Sequence, residues 1–243
     1  MHYGVCALRE HFTKHLSERE RQIAERVLKE IQERLPDVDL WNFYGQTEMS
    51  PVTCALSGAD ALRKFGSVGK VVRTVAARVI DSEGNDVPRG EVGEIVYRGP
   101  NMMSGYWNNL EATKEAFHGG WFHSGDLVRM DEEGFVYVVD RAKDMVISGG
   151  ENIYSVEVEN AVAAHPDVTE VAVIGKPDER FGEAVVAVVQ LRDGAELTVE
   201  SLSEFLNDHI ARYKHPRHVV VIDALPRNPT GKVTKPVLRQ QFG

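Results

Sequence analysis

A chain of 243 residues that is 42% hydrophobic and 27% charged has the profile of a folded globular protein, which excludes a disordered chain. Its formal net charge of -9, with acidic and basic residues interspersed, argues against a general attraction to nucleic acid or anionic membranes. Cys6 and Cys54 form neither a CxxC pair nor a disulfide framework, which suits a reduced, cytoplasmic setting. The short apolar run from Gly4 to Leu8 is neither a secretory signal nor a transmembrane span, and peripheral membrane contact and oligomeric state stay open.

The first sixteen residues show no clear period. From Ser17 a helix is expected: Ser17 and Glu20 have capping-box spacing, and Ile23, Ala24, Val27, Leu28, Ile31 and Leu35 recur on one face. Pro36 and Asp37 stop it, and Val38 to Phe43 reads as a strand leading into YGQTE. Helix followed by apolar strand is the repeating element of an α/β layer. After about Gly66, short β-rich runs (TVAARVI, EVGEIVYRG, HSGDLVRM, FVYVVD) alternate with turn clusters, the pattern of a small antiparallel unit. The charged run Asp140 to Asp144 suits an exposed connection. Beyond it, MVISGGENIYS reads as a short hairpin, followed by a helix from about Ser155 to Ala164. Two apolar strands come next, VAVIG and AVVAVVQL, and then a helix capped by Thr198 with Leu202, Phe205, Leu206 and Ile210 on one face. A last strand, Val219 to Ile222, precedes the tail LPRNPTGKVTKPVLR.

The fold class that follows is α/β plus α+β. Residues 1–140 read as an α/β portion with a β-rich subdomain, 141–144 as a charged connection, and 145–243 as a small α+β domain.

Four stretches carry residue types suited to chemistry, and each has a bland reading beside it. In YGQTE, Tyr44 offers an aromatic face, Gly45 a turn, Thr47 a hydroxyl for a phosphate and Glu48 a hard oxygen for magnesium. A glycine turn with solvated polar residues accounts for the same letters. In GWFHSGDL, Asp126 follows a glycine turn and can accept both hydroxyls of a ribose, or simply cap the turn. In DRAKDMVISGGEN, Arg141 can bind ribose or phosphate oxygens, and Gly149 and Gly150 let the backbone pass close to an extended ligand. A solvated linker and an ordinary hairpin turn would look alike. In PRNPTGKVTK, the turn before Lys232 directs a mobile ammonium suited to acyl or phosphoryl transfer, though surface lysines are common.

In this order the four resemble the adenylate-forming superfamily, which includes acyl-CoA synthetases, luciferase-like enzymes and carrier-loading adenylation domains. YGQTEMSP is similar to its YGxTE segment and GWFHSGDL to its GD segment. DRAKDMVISGGENIYSVEVE is similar to its hinge segment, and NPTGKV to its C-terminal lysine motif. The resemblance runs from about Val38 to Leu238. It implies a carboxylate (fatty acid)–CoA ligase that uses ATP, Mg2+ and CoA and forms an acyl-adenylate. It implies that Tyr44 stacks on adenine, Thr47 contacts phosphate, Glu48 holds magnesium, and Asp126 with Arg141 holds the ribose. Lys232 would stabilise the adenylation transition state, Lys143 would be the hinge, and Gly149 and Gly150 would line the path of the pantetheine arm.

Two departures bear on that reading. The Ser/Thr/Gly-rich phosphate loop expected upstream of YGxTE is absent, with most of the large domain and the acyl pocket, so the sequence reads as a fragment. The residues before about Arg26 also do not resemble the family's usual approach to this strand, and a smaller departure of little weight is Ser155, where many relatives carry proline. A non-catalytic fragment or interaction module, and a relative that loads a carrier protein, are the other readings. His11 and His15 lack the glutamate of a zinc-protease helix, and Trp41, Phe43, Trp107, Trp121 and Phe122 read as core aromatics rather than a nucleic-acid platform.

Overall fold

The computed structural model describes residues 18–229 and 231–243, which form two compact units divided between Ala142 and Lys143. Ser17 and its capping box, and the residues before it, lie outside the described residues. The architecture is mixed α/β with largely antiparallel sheets.

In the first unit, helix α1 (Glu18–Arg34) follows the predicted periodicity and ends before Pro36. Its apolar stripe is only partly covered, with Ile23 and Val27 both 45% exposed. The Gln32 amide donates to the Gly58 carbonyl at 2.9 Å and ties the helix to the first hairpin. Strand β1 (Trp41–Tyr44) begins later than the predicted Val38 and pairs antiparallel with β2 (Cys54–Ser57). The connection between them is too short for a crossover, so the chain returns alongside itself rather than continuing a parallel layer.

After the short helix α2 (Gly58–Ala61) come β3 (Gly69–Val71), β4 (Ala76–Ile80) and β5 (Val92–Arg98). Helix α3 (Leu110–Ala116) precedes β6 (Phe117–His118), β7 (Trp121–Met130) and β8 (Phe135–Arg141). The sheet order is β1-β2-β3-β8-β7-β5-β4, with β6 on β7, and every pair is antiparallel, as the alternating β-rich runs predicted. Gly69 is required where β3 crosses β2, because a Cβ there would lie 2.0 Å from the Ala55 carbonyl oxygen. Tyr44, Met49, Cys54, Val79, Ile95, Tyr97, Phe122 and Val128 share one core. Helix α3 escaped the sequence reading because it buries no residue and so carries no apolar period.

The charged run at 140–144 is only partly the exposed connection expected of it. Lys143 is exposed, but Asp140 is 2% exposed, because β8 continues through Arg141 and takes the carboxylate inside.

The second unit opens with the predicted hairpin, β9 (Val146–Ser148) and β10 (Glu151–Ile153), turned by Gly149 and Gly150 at φ +62° and +85°. Helix α4 (Ser155–Ala163) leads to β11 (Val168–Asp178) and β12 (Gly182–Leu191). Helix α5 (Val199–Leu206) is capped by Thr198, with Ser201 completing a capping box, and buries Leu202 and Leu206. Strand β13 (His218–Val221) lies parallel to β12, and helix α6 (Lys235–Phe242) ends the chain. The order is β10-β9-β12-β11, with β13 also on β12.

The unbroken apolar run of β12 follows from its central place. Val185, Ala187 and Val189 face one cluster with α4 and α5, and Val186 and Val188 face another with Leu225 and Leu238. Helix α6 was not legible in the tail, where only the turn before Lys232 was read; Pro236 is tolerated in the first turn of the helix.

Leu238 is fully buried and docks α6 onto that second cluster. Leu238→Ala is expected to cost about 2–5 kcal/mol in the unfolding of this unit, measured by urea titration.

Candidate active site

The first unit gathers the sequence-predicted residues around a buried carboxylate. Asp126 on β7 sits directly opposite Arg141 on β8. Arg141 Nε donates to Asp126 Oδ1 at 2.7 Å, and the Tyr44 hydroxyl donates to Oδ2. The Asp126 side chain is only 2% exposed. Strands β1 and β7 stand four places apart in the sheet order, at about 4.8 Å per step. The sheet must therefore curl strongly for Tyr44 to touch Asp126.

The approach to Asp126 is fixed by residues that sequence reading missed. Ser124 Oγ accepts from the Asp126 amide at 3.0 Å and donates to the Ile95 carbonyl. Glu94 on β5 accepts from the Gly125 amide with Oε1 at 2.9 Å and pairs with His123 Nδ1 through Oε2 at 2.8 Å. Only the placement of Glu94 inside an otherwise alternating β run gave a signal, and it was too weak to use.

Burial, followed by the Asp126 charge, raises the Tyr44 phenol well above its usual range, so it remains a donor at any working pH. The Tyr44 ring is packed in the core and 6% exposed. An adenine-stacking face was expected of it, and what the structure displays is its hydroxyl fixing Asp126. Burial likewise pushes the Cys54 thiol, across the strand pair from Tyr44, up to about 12.

Beyond Tyr44 the chain makes a tight loop. A Cβ at Gly45 would meet the Pro51 carbonyl oxygen at 1.9 Å and the Thr53 amide nitrogen at 2.8 Å, so only glycine fits. A single 3₁₀ turn, Thr47–Met49, then leaves Thr47 exposed and Glu48 half-buried. Glu48 Oε1 accepts from the Tyr106 hydroxyl at 2.9 Å. Among the described residues, no three His, Cys, Asp or Glu gather as a metal site. A lone carboxylate fits magnesium whose remaining ligands are phosphate oxygens and water, and does not fit an all-protein cage.

The second unit carries the other candidates. Lys143 is exposed, and its carbonyl accepts from Arg239 at 3.0 Å. Gly149 and Gly150 are exposed at the β9–β10 turn, where the Gly149 amide donates to the Phe181 carbonyl at 2.8 Å. Lys232 lies on an exposed turn whose Asn228 amide donates to the Lys232 carbonyl at 2.9 Å. In return the Lys232 amide donates to Asn228 Oδ1 at 2.9 Å. Thr230 of that turn lies outside the described residues.

Residues 17–107 match the AMP-binding enzyme family, and residues 157–232 match the AMP-binding enzyme C-terminal domain. The chain belongs to the adenylate-forming superfamily. It is 45% identical over 218 residues to an indoleacetate–CoA ligase of Aromatoleum aromaticum, covering 90% of this chain and 42% of that protein. It is 42% identical over 206 residues to a long-chain-fatty-acid–CoA ligase of Mycobacterium tuberculosis, covering 85% and 41%. Among solved structures it resembles the o-succinylbenzoate–CoA synthetase of Bacillus subtilis in complex with its acyl-adenylate intermediate. The TM-score is 0.75 and the identity 35%, over 90% of this chain and 43% of that one. That synthetase has also been solved with ATP and a magnesium ion. The superfamily chain described here thus spans about two fifths of the length of these relatives.

Gly45→Ala should disorganise the loop between β1 and β2 and destabilise the first unit by more than about 2 kcal/mol, measured by urea unfolding. A thiol raised to about 12 holds almost no thiolate at pH 8, so Cys54 should resist iodoacetamide there in the native chain and react once urea unfolds it. Mass mapping of the peptide that carries Cys54 checks this.

Proposed function

We propose that the chain is the C-terminal part of an ATP-dependent carboxylate–CoA ligase that works through an acyl-adenylate. Its likeness, over 85% or more of its length, to CoA ligases acting on chemically different acids carries this reading. In the first half-reaction a carboxylate oxygen attacks the α-phosphorus of ATP and the bond to pyrophosphate breaks. In the second, the CoA sulfur attacks the acyl carbon, its proton is lost, and AMP leaves with the bonding pair.

The residues divide this work. Asp126, oriented by Tyr44 and Arg141, accepts the ribose hydroxyls. Gly45 lets the nucleotide loop close, Thr47 contacts a phosphate, and Glu48 offers magnesium one oxygen of a carboxylate whose other oxygen is held by Tyr106. Magnesium, held chiefly by the phosphates, would offset their charge. Lys232 stabilises the negative charge that develops during adenylation. Residues 141–144 act as a hinge pivoting at Lys143, and residues 145–243 move as a lid, because one site must serve two different transition states in turn. Gly149 and Gly150 border the pantetheine path. ATP and CoA as co-substrates suit a cytoplasmic enzyme, and a fatty acid is the acid we favour.

The test is thioester formation by this chain from ATP, Mg2+ and CoA with a long-chain fatty acid, indoleacetate and succinylbenzoate in parallel. Lys232→Ala is expected to lower the product by roughly 10²–10³-fold, the usual cost of losing one charge-stabilising donor. Product undiminished in the variant would remove the lysine from the mechanism. No product with any acid, from folded and monodisperse protein, would make this chain non-catalytic by itself.

A further inference from the structure

Lys232 closes an exposed turn with Asn228, yet the chain three residues later is anchored in the interior. Lys235, the first residue of α6, places its ammonium 2.7 Å from Glu159 Oε1 and 2.8 Å from Ser155 Oγ, both on α4. The Glu159 oxygen also accepts from the Val173 amide on β11 at 2.8 Å. The Lys235 and Glu159 side chains are 12% and 7% exposed, and Ser155 is fully buried. A buried ion pair seldom adds net stability, because desolvation offsets the attraction, but it tolerates only one geometry. Such a pair is better suited to fixing a position than to holding a fold together.

The position it fixes is that of the lysine turn. Arg227 and Val233 bridge across its base, and the Thr234 amide donates to the Pro226 carbonyl at 2.8 Å. Only Val233 and Thr234 separate Lys232 from the buried ammonium. One turn along the same face of α6, Arg239 donates to the Lys143 carbonyl at 3.0 Å and pairs with Asp144 Oδ1 at 2.7 Å. The helix is thus tied at its first residue and again one turn on.

We propose that Lys235, through Glu159 and Ser155, is a positioning residue for Lys232, holding the turn that aims its ammonium. This rests on the adenylation role proposed for Lys232. Sequence reading passed over Ser155 as a minor departure, and in this chain its hydroxyl accepts from Lys235.

Hydrogen exchange on the full chain tests the anchoring, comparing Lys235→Met, Lys235→Arg and a double variant Lys235→Met/Glu159→Gln that leaves no unpaired charge. In both methionine variants the amides of Asn228, Gly231, Lys232 and Thr234 should exchange at least about tenfold faster, with those of β11 and β12 unchanged, and Lys235→Arg should restore most of the protection. Unchanged protection at the turn, or equal loosening of turn and sheet, would overturn the proposal.

The half-reactions provide a second readout. Lys235→Met should slow ATP–pyrophosphate exchange about tenfold or more, while thioester formation from supplied acyl-adenylate stays within about twofold, since Lys232 serves adenylation alone. Equal loss in both half-reactions would also overturn it. Lys232→Ala tests the underlying reading separately. If that variant keeps full pyrophosphate exchange, the lysine's chemistry fails. If the chain does not turn over, amide exchange alone decides the anchoring.

Discussion

A carboxylate almost wholly withdrawn from water governs the first unit. Burying a carboxylate is costly unless its partners compensate for lost hydration, and the Arg141 guanidinium and Tyr44 hydroxyl do so from two other strands. That demand brings the ends of β1 and β8 to the middle of β7, and the contact across the sheet goes with its curl. The glycine loop behind Tyr44 then has to turn back tightly enough for Pro51 to close over Gly45, which is why no side chain fits there. The acid proposed to hold the ribose therefore has its direction set before any ligand arrives, and binding energy would not be spent on ordering it.

The second unit rests on a different constraint, the burial of β12 on both faces. Its alternate valines feed two separate clusters, one beneath α4 and α5 and one beneath α6. The first cluster is large and conventional. The second is small, and the helix that completes it has only eight residues, too few to be stable by propensity alone. Helix α6 accordingly depends on Leu238 below and on ion pairs at Lys235 and Arg239.

What could be read from the sequence follows the same physics. The hairpin at Gly149–Gly150, the Thr198 cap and the antiparallel β runs were legible because local chemistry alone produces them. Helices α3 and α6 were not, since one buries nothing and the other is stabilised by partners distant in sequence. Strand β1 was predicted too long at its start, where Val38 and Asp39 precede any pairing. The positions of Tyr44, Asp126 and Arg141 could be picked out by motif, and Arg141 was expected beside Asp126, but the contact of Tyr44 with Asp126 could not be read, because residues 82 apart meet only through the curl of the sheet. Glu94, Tyr106 and Glu159 stayed invisible for a related reason: a single acidic or aromatic letter in a strand or helix does not announce a long-range partner.

The two anchors on α6 follow from the proposed chemistry. A lysine that acts in one half-reaction and must be absent from the next can be withdrawn by local melting or by rigid transport. Local melting would free the turn but would reorder it at entropic cost in every cycle. Rigid transport requires the turn to be fixed to the same body as the pivot. That arrangement is found within the second unit: Lys235 fixes the turn to α4, and Arg239 fixes the same helix to the carbonyl of Lys143. With an eight-residue helix secured at its start and one turn on, the proposed rotation at Lys143 would carry Lys232 with little internal rearrangement. On the proposed chemistry the small unit would alternate between tasks while its core, held from both faces of β12, stays unchanged.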